Sequence, residues 1–183
     1  MNIRWHNQRF NSSRFHLFGI KRNDDLRKFI KVPTQFQSGI VKCRIIYNVD
    51  INRIEFEPYK VKPIQSLRAI HSTIDYVYKY EDRSELQRLY ERRGGSDDIL
   101  IIKGGFVTDT FYGNVAFRKN SKWYTPSEPL LTGTRRMNLL NRKKLVPIPI
   151  PLSSINQYSH ICIYNSMILF GEIIIPVSNI SVE

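Results

Sequence analysis

The sequence contains few of the residues that build metal centres and disulfide frameworks. Its 183 residues include 2 cysteines and 4 histidines, none of them at metal-ligand spacing. Cys43 and Cys162 lie in apolar, strand-like runs, which predicts reduced thiols in the core of a cytosolic protein. The sequence therefore favours neither a disulfide-stapled fold nor a metal enzyme.

Long apolar runs are also missing. The longest, Ile161–Val177, is interrupted by polar residues that include Asn165 and Glu172, so it does not predict a membrane span. The first residues, Met1–His6, have no apolar core, and we expect no signal peptide. We therefore expect a globular protein without a membrane partner.

Acidic residues are scarce relative to basic ones. The chain has 28 Lys+Arg against 16 Asp+Glu, which gives a formal net charge of +12. Such a balance attracts anions, and a phosphorylated or carboxylate-bearing small molecule is one candidate. The basic residues are scattered and form no stripe within a known module, so we expect no nucleic-acid partner. The alternative, a nucleic-acid-binding protein, would show strongly salt-dependent binding to DNA or RNA.

Strand and helix patterns alternate irregularly along the chain, which predicts an α+β fold. A basic linker, Tyr59–Lys62, separates a small N-terminal lobe, residues 1–60, from a larger lobe, residues 61–183. The predicted helices are 11–18, 24–30, one that begins near Asp82 and Glu85 and ends at Gly94–Gly95, and a helix that Gly133 opens. The predicted strands are 40–47, 54–59, 66–70, 99–102, 106–108, 114–117, 123–124, 161–164 and 172–175.

The chemistry is concentrated in two residues of the larger lobe. Lys79 lies thirty residues before Asp109, which follows a strand that starts at a glycine turn. Pyridoxal phosphate enzymes need a lysine that forms an imine with the cofactor aldehyde, and a carboxylate that keeps the pyridine nitrogen protonated. Considered one at a time, Lys79 also fits an ordinary surface lysine, and Asp109 also fits an aspartate in a turn.

The spacing around these two residues resembles the class IV aminotransferase family. Arg83 stands four residues after Lys79, as in the lyase-like members, and Asn114 stands five residues after Asp109. The family includes branched-chain and D-amino acid aminotransferases and aminodeoxychorismate lyase. It uses glutamate where this chain has Asp109. The resemblance implies a two-lobed fold-type IV enzyme, with a small α/β lobe, a larger pseudo-barrel lobe and pyridoxal 5'-phosphate in the cleft.

Three further phrases resemble the family's phosphate contacts. Leu131–Arg136 resembles a turn at a helix start, in which the backbone amides after Gly133, those of Thr134 and Arg135, would hold the phosphate. The phrase that contains Asn165 and Ser166 resembles a second contact through the Ser166 hydroxyl. Its alternative is a polar bulge in a core strand.

The third phrase, His6–Arg9, resembles the family motif in which the arginine, here Arg9, reaches the phosphate from the small lobe. Family members begin with a strand before this motif, whereas His6 follows Met1 by five residues. Either that strand is missing or the start lies upstream.

The resemblance implies that Lys79 is the catalytic residue and that burial lowers its pKa for proton removal. It favours an aminodeoxychorismate lyase-like reaction in a cytoplasmic homodimer, with an anionic amino compound as substrate. Two alternatives remain: an amino acid transaminase, and a degenerate protein that binds the cofactor without catalysis.

Overall fold

The computed structural model describes residues 2–182. The chain folds into two compact units, of which the first ends at Lys62 and the second begins at Pro63. The predicted division lies between residues 60 and 61, in the same basic linker.

The first unit contains one helix and one hairpin. Its elements are α1 (Ile3–Phe18), 3₁₀ turns at Leu26–Lys28 and Thr34–Phe36, and strands β1 (Val41–Tyr47) and β2 (Ile51–Pro58), which pair antiparallel. The predicted hairpin is confirmed. The first helix is longer than predicted, because it also includes the residues before position 11.

The segment 24–30 was predicted as a helix, and this is wrong. Side chains of α1 bind its backbone instead. Asn7 Oδ1 accepts from the backbone N–H of Leu26 at 3.0 Å, and Asn11 Nδ2 donates to the carbonyl of Asp24 at 2.8 Å. Because these contacts hold the backbone away from helical pairing, a single 3₁₀ turn forms.

The second unit is built on a mixed sheet that has nine strands within residues 2–182. The strands are β3 (Leu67–His71), β4 (Asp98–Lys103), β5 (Phe106–Thr110), β6 (Asn114–Lys119), β7 (Lys122–Pro126), β8 (Val146–Ile148), β9 (His160–Tyr164), β10 (Ile173–Pro176) and β11 (Ile180–Val182). Two helices, α2 (Ser84–Glu91) and α3 (Thr134–Asn141), complete it. The α+β prediction is confirmed. The short strands β8 and β11 were missed.

Strand order places the site residues at the middle of the sheet. The order is β10-β9-β6-β5-β4-β3-β11, and β7 pairs with β6. β6 pairs with β5 only at its first residue, Asn114, whereas β9 pairs along its other edge through Arg118. The start of β6 therefore lies between the ends of β5 and β9.

The core of this unit follows the apolar pattern of the sequence. All four residues of Ile99–Ile102 are 0% exposed, which confirms the prediction of a strand buried on both faces. Cys162 is buried as predicted, but Cys43 is exposed, because the two-stranded hairpin that carries it leaves one face open. Within residues 2–182, no helix combines the length and apolar character that a membrane span needs.

Candidate cofactor site

Asp109 is a buried carboxylate held by two donors. It lies in β5 and is 4% exposed. Asn114 Nδ2 donates to Oδ1 at 2.6 Å, and the backbone N–H of Leu131 donates to Oδ2 at 2.7 Å. Burial raises the pKa of Asp109 to about 7, although both donors and the charge of Arg136 lower it. A carboxyl group with this pKa can take up or release a proton near neutral pH.

Asn114 joins Asp109 to the segment before α3. It opens β6 and pairs with Asp109 in the β5–β6 register. Its amide group also donates to the carbonyl of Leu131 at 2.8 Å, so both of its N–H bonds are used. A Cβ atom at position 133 would lie 1.9 Å from Asn114 Oδ1. Gly133 is therefore required by this close approach.

The N-terminus of α3 lies directly after Gly133. The carbonyl of Gly133 accepts from the backbone N–H of Met137 at 3.0 Å, which closes the first helical turn. No side chain caps this end. The first-turn amides, including those of Thr134 and Arg135, are the donors that a helix start offers to an anion.

Arg135 connects this helix start to the turn that follows β9. Its Nε donates to the carbonyl of Asn165, and Nη2 donates to the carbonyl of Ser166 at 3.1 Å. Burial lowers the pKa of the Arg135 guanidinium. The two segments that the sequence assigned to phosphate contacts thus lie side by side.

The phrase around Asn165 forms a tight turn. Asn165 Oδ1 accepts from the backbone N–H groups of Met167 and Ile168 at 2.7 and 2.8 Å, and Nδ2 donates to the carbonyl of Tyr112 at 2.8 Å. Ser166 is exposed. The alternative of a polar bulge within a core strand is wrong, since β9 ends at Tyr164, before this turn.

Arg83 and Lys79 lie between β3 and α2. Arg83 Nη2 donates to the carbonyl of Phe111 at 2.8 Å, and its guanidinium lies 4.4 Å from the centre of the Phe111 ring. Lys79 stands four residues earlier, in an irregular segment, and is exposed. The expectation that Lys79 is buried is wrong, because no helix or strand covers this segment on its own unit.

Arg9 is the one predicted site residue that lies in the first unit. It is on α1 and half-buried. Its role at the phosphate stays a prediction.

Arg136 is a residue that sequence reasoning missed. It is 5% exposed, and its Nη2 donates to the carbonyl of Pro126 at 2.7 Å. Burial lowers the pKa of its guanidinium, while electrostatic interactions with Tyr164 and Asp109 act in the opposite direction. A signal was present: Arg136 precedes the buried Leu139 by three residues, so the two share a face of α3.

The donor set of the second unit fits pyridoxal phosphate. Asp109 is a buried carboxyl group bonded to the segment before α3, and its carboxylate form can pair with a pyridine nitrogen that must stay protonated. The α3 start offers amides for a phosphate, and the Asn114–Gly133 contact fixes that start beside Asp109. Among residues 2–182, no group of three or more His, Cys, Asp or Glu side chains could hold a metal ion.

Comparison with known proteins agrees with this geometry. The family model for class IV amino-transferases matches residues 62–180. An uncharacterised protein of Haemophilus influenzae is 37% identical over 169 residues, which are 91% of this chain and 90% of that protein.

Two solved structures extend the comparison. One is a Haemophilus somnus 129PT protein proposed to be a 4-amino-4-deoxychorismate lyase. It is 35% identical, with a TM-score of 0.82 over 91% of this chain and 89% of that chain. The other is a hypothetical aminotransferase of Mycobacterium tuberculosis in its PLP-bound form. It shares the fold at 14% identity, with a TM-score of 0.72 over 97% of this chain and 75% of that chain.

These matches confirm the family and the fold predicted from the motif spacing. The family model spans most of the chain, and a relative more than 30% identical spans nearly all of it. The chain belongs to the class IV aminotransferase family of pyridoxal-phosphate-dependent enzymes.

Proposed function

We propose that this protein is a lyase that converts 4-amino-4-deoxychorismate to pyruvate and 4-aminobenzoate, a reaction of folate biosynthesis. The observation that carries the proposal is Arg83, four residues after Lys79. Its contacts with the carbonyl and ring of Phe111 fix its guanidinium at the turn between β5 and β6. A fixed guanidinium suits a substrate that carries two carboxylates. The name proposed for the Haemophilus somnus protein supports the same reaction.

In this proposal the residues have distinct tasks. The cofactor, when bound, supplies a ring that stores the electron pair released at the substrate Cα. Lys79 would hold the cofactor through its aldehyde and would also act as the base that takes the proton from Cα. Asp109 would pair with the pyridine nitrogen and keep a proton on it. The amides of Thr134 and Arg135 would hold the phosphate, with Ser166 as a further contact.

Loss of pyruvate leaves an aromatic ring, and this aromatisation drives the reaction forward. The same residues could instead pass the amino group to a keto acid, which is the transamination alternative. The two outcomes differ in product, because only the lyase reaction releases 4-aminobenzoate together with pyruvate.

We also propose that the protein is a cytoplasmic homodimer. The first unit exposes large apolar side chains by 40% or more, which is costly for an isolated surface. They are Phe15, Leu17, Phe18, Phe29, Val32, Ile40 and Val49. Neither cysteine is in a disulfide, which agrees with a reducing compartment.

The direct test is product analysis with purified protein, pyridoxal phosphate and 4-amino-4-deoxychorismate. We expect 4-aminobenzoate by fluorescence and an equal amount of pyruvate by coupled lactate dehydrogenase. Lys79→Ala should remove both products. Lys122→Ala, an exposed lysine in the β6–β7 hairpin, is the matched control and should keep them. Amino transfer to a keto acid without 4-aminobenzoate would refute the lyase and favour the transaminase. Binding of the cofactor by the wild-type protein without either reaction would favour the degenerate alternative.

A further inference from the structure

Asp98 is a buried carboxylate to which the proposed reaction gives no task. It is the first residue of β4 and is 0% exposed. Oδ1 accepts from the backbone N–H of Ile99 at 2.7 Å and from that of Phe111 at 3.3 Å. Oδ2 is buried and has no hydrogen-bond partner. A buried carboxylate with an unpaired oxygen is costly, because desolvation disfavours its charge.

The Phe111 contact places Asp98 behind the turn that joins β5 to β6. This turn is closed by the backbone N–H of Thr110, which donates to the carbonyl of Gly113 at 2.9 Å. At position 113, a Cβ would lie 2.5 Å from the carbonyl oxygen of Tyr164, so the turn packs directly on β9. The Thr110–Gly113 turn therefore has little room to move as long as Asp98 holds the backbone of Phe111.

Both carbonyls at the tip of the turn are used by predicted site residues. The carbonyl of Phe111 accepts from Arg83, and the carbonyl of Tyr112 accepts from Asn165, each at 2.8 Å. The position of this turn therefore sets the position of Arg83 on one side and of the Asn165 turn on the other.

Stacked aromatic rings also help to fix the position of this turn. The rings of Phe111 and Tyr90 are stacked, with centroids 4.4 Å apart, and guanidinium groups cover both outer faces. Arg83 lies 4.4 Å from the Phe111 ring, and Arg93 lies 4.2 Å from the Tyr90 ring. The stack orients the Phe111 ring, and Asp98 fixes its backbone.

We propose that Asp98 is a positioning residue, which holds the Thr110–Gly113 turn and through it aligns Arg83 and the phosphate-side turn at Asn165. In this role Asp98 acts through the backbone of Phe111 and would not contact the cofactor or the substrate. Its effect on the cofactor rests on the proposed function, whereas its effect on the turn does not. Proteins retain energetically unfavourable features mainly near functional sites. The buried, unpaired oxygen of Asp98 is such a feature.

The test compares Asp98→Ala with the conservative Asp98→Asn, whose amide oxygen can still accept from both backbone N–H groups. Asp97→Ala is the matched control. Asp97 holds the same end of β4 by accepting from the N–H groups of Gln65 and Ser66, but the structure gives it no bond to the turn. Asp98→Ser is a second variant, with a side chain too short to reach Phe111.

Two readouts are measured on each variant. The first is amide hydrogen exchange at Phe111 in the cofactor-free protein. The second is the equilibrium affinity for pyridoxal phosphate and for pyridoxal, which lacks the phosphate. Asp98→Ala should raise Phe111 exchange about tenfold and weaken pyridoxal phosphate binding about tenfold, with pyridoxal binding changed less than about twofold. Asp98→Asn and Asp97→Ala should resemble the wild type.

Several results would overturn the proposal. Unchanged exchange at Phe111 in a folded Asp98→Ala or Asp98→Ser variant would show that the carboxylate does not hold the turn. Equal losses of affinity for pyridoxal phosphate and for pyridoxal would show that Asp98 affects the whole site and does not specifically align its phosphate side. Loss of folding in both variants would assign Asp98 to the fold. If the wild-type protein binds no pyridoxal phosphate, the proposed function fails, and the exchange measurement still decides whether Asp98 holds the turn.

Discussion

Asp109→Asn in the cofactor-free protein should make the free energy of unfolding less dependent on pH. Burial raises the pKa of Asp109 from 3.8 to about 7. Between these two values the folded protein binds a proton that the unfolded chain releases. The stabilisation by Asp109 is therefore complete below the unfolded pKa and is lost as pH rises through about 7.

The magnitude follows from the size of the shift. A difference of about 3 pKa units, at about 1.4 kcal/mol per unit, gives a loss of at most about 4 kcal/mol between pH 4 and pH 8. Asparagine cannot ionise, so this loss should vanish in the variant. At about pH 5, the acid end of the range, variant and wild type should differ least, because the folded protein keeps Asp109 protonated there. The protonated acid and the amide each keep one acceptor oxygen for the two donors, Asn114 Nδ2 and the Leu131 N–H.

The assay is urea unfolding of both proteins in steps from about pH 5 to about pH 8.5, followed by the difference in the free energy of unfolding. Burial also raises the pKa of Asp98 to about 7, but Asp98 is present in both proteins, so its titration cancels. Asp97→Asn is the control with the opposite sign, because backbone donors lower the pKa of Asp97 and its charge stabilises the fold. The difference in the free energy of unfolding between wild type and Asp109→Asn should grow as pH rises. If it does not, Asp109 is not a buried carboxyl group with a raised pKa.

The remaining predictions concern catalysis, packing and assembly. With cofactor bound, Asp109→Asn should lower kcat by roughly 100-fold or more, while Asp109→Glu, which keeps the charge, should stay active; equal rates for Asn and wild type would contradict this. Gly133→Ala should weaken pyridoxal phosphate binding, measured by titration, because its Cβ would displace Asn114; unchanged affinity would contradict it. Sedimentation should show a dimer at working concentration, and an active monomer would refute the dimer.

The spacing of residues that are close in sequence predicted much of the fold and part of the site. The Ile99–Ile102 run could only be buried on both faces, and the structure shows it so. The five-residue spacing from Asp109 to Asn114 places them opposite each other across a tight turn, as the register confirms. Such features depend on neighbours in sequence, and a pattern can encode them.

The features that the sequence did not predict depend on contacts between residues that are far apart in the chain. Arg136 is buried because its guanidinium reaches the carbonyl of Pro126, and Asp98 matters because β4 and β5 bring it to Phe111. Cys43 was expected in the core, yet a two-stranded hairpin cannot cover both of its faces. Lys79 was expected to be buried, and the irregular segment that carries it leaves it exposed.

The central claim is that Lys79 anchors pyridoxal phosphate in this protein, and borohydride trapping tests it most directly. The purified protein is incubated with the cofactor, reduced and digested, and the modified peptide is identified by mass spectrometry. We expect a single pyridoxyl-phosphate adduct at Lys79, lost in Lys79→Ala and kept in Lys122→Ala. An adduct at another lysine, or none in protein that retains its fold, would contradict it.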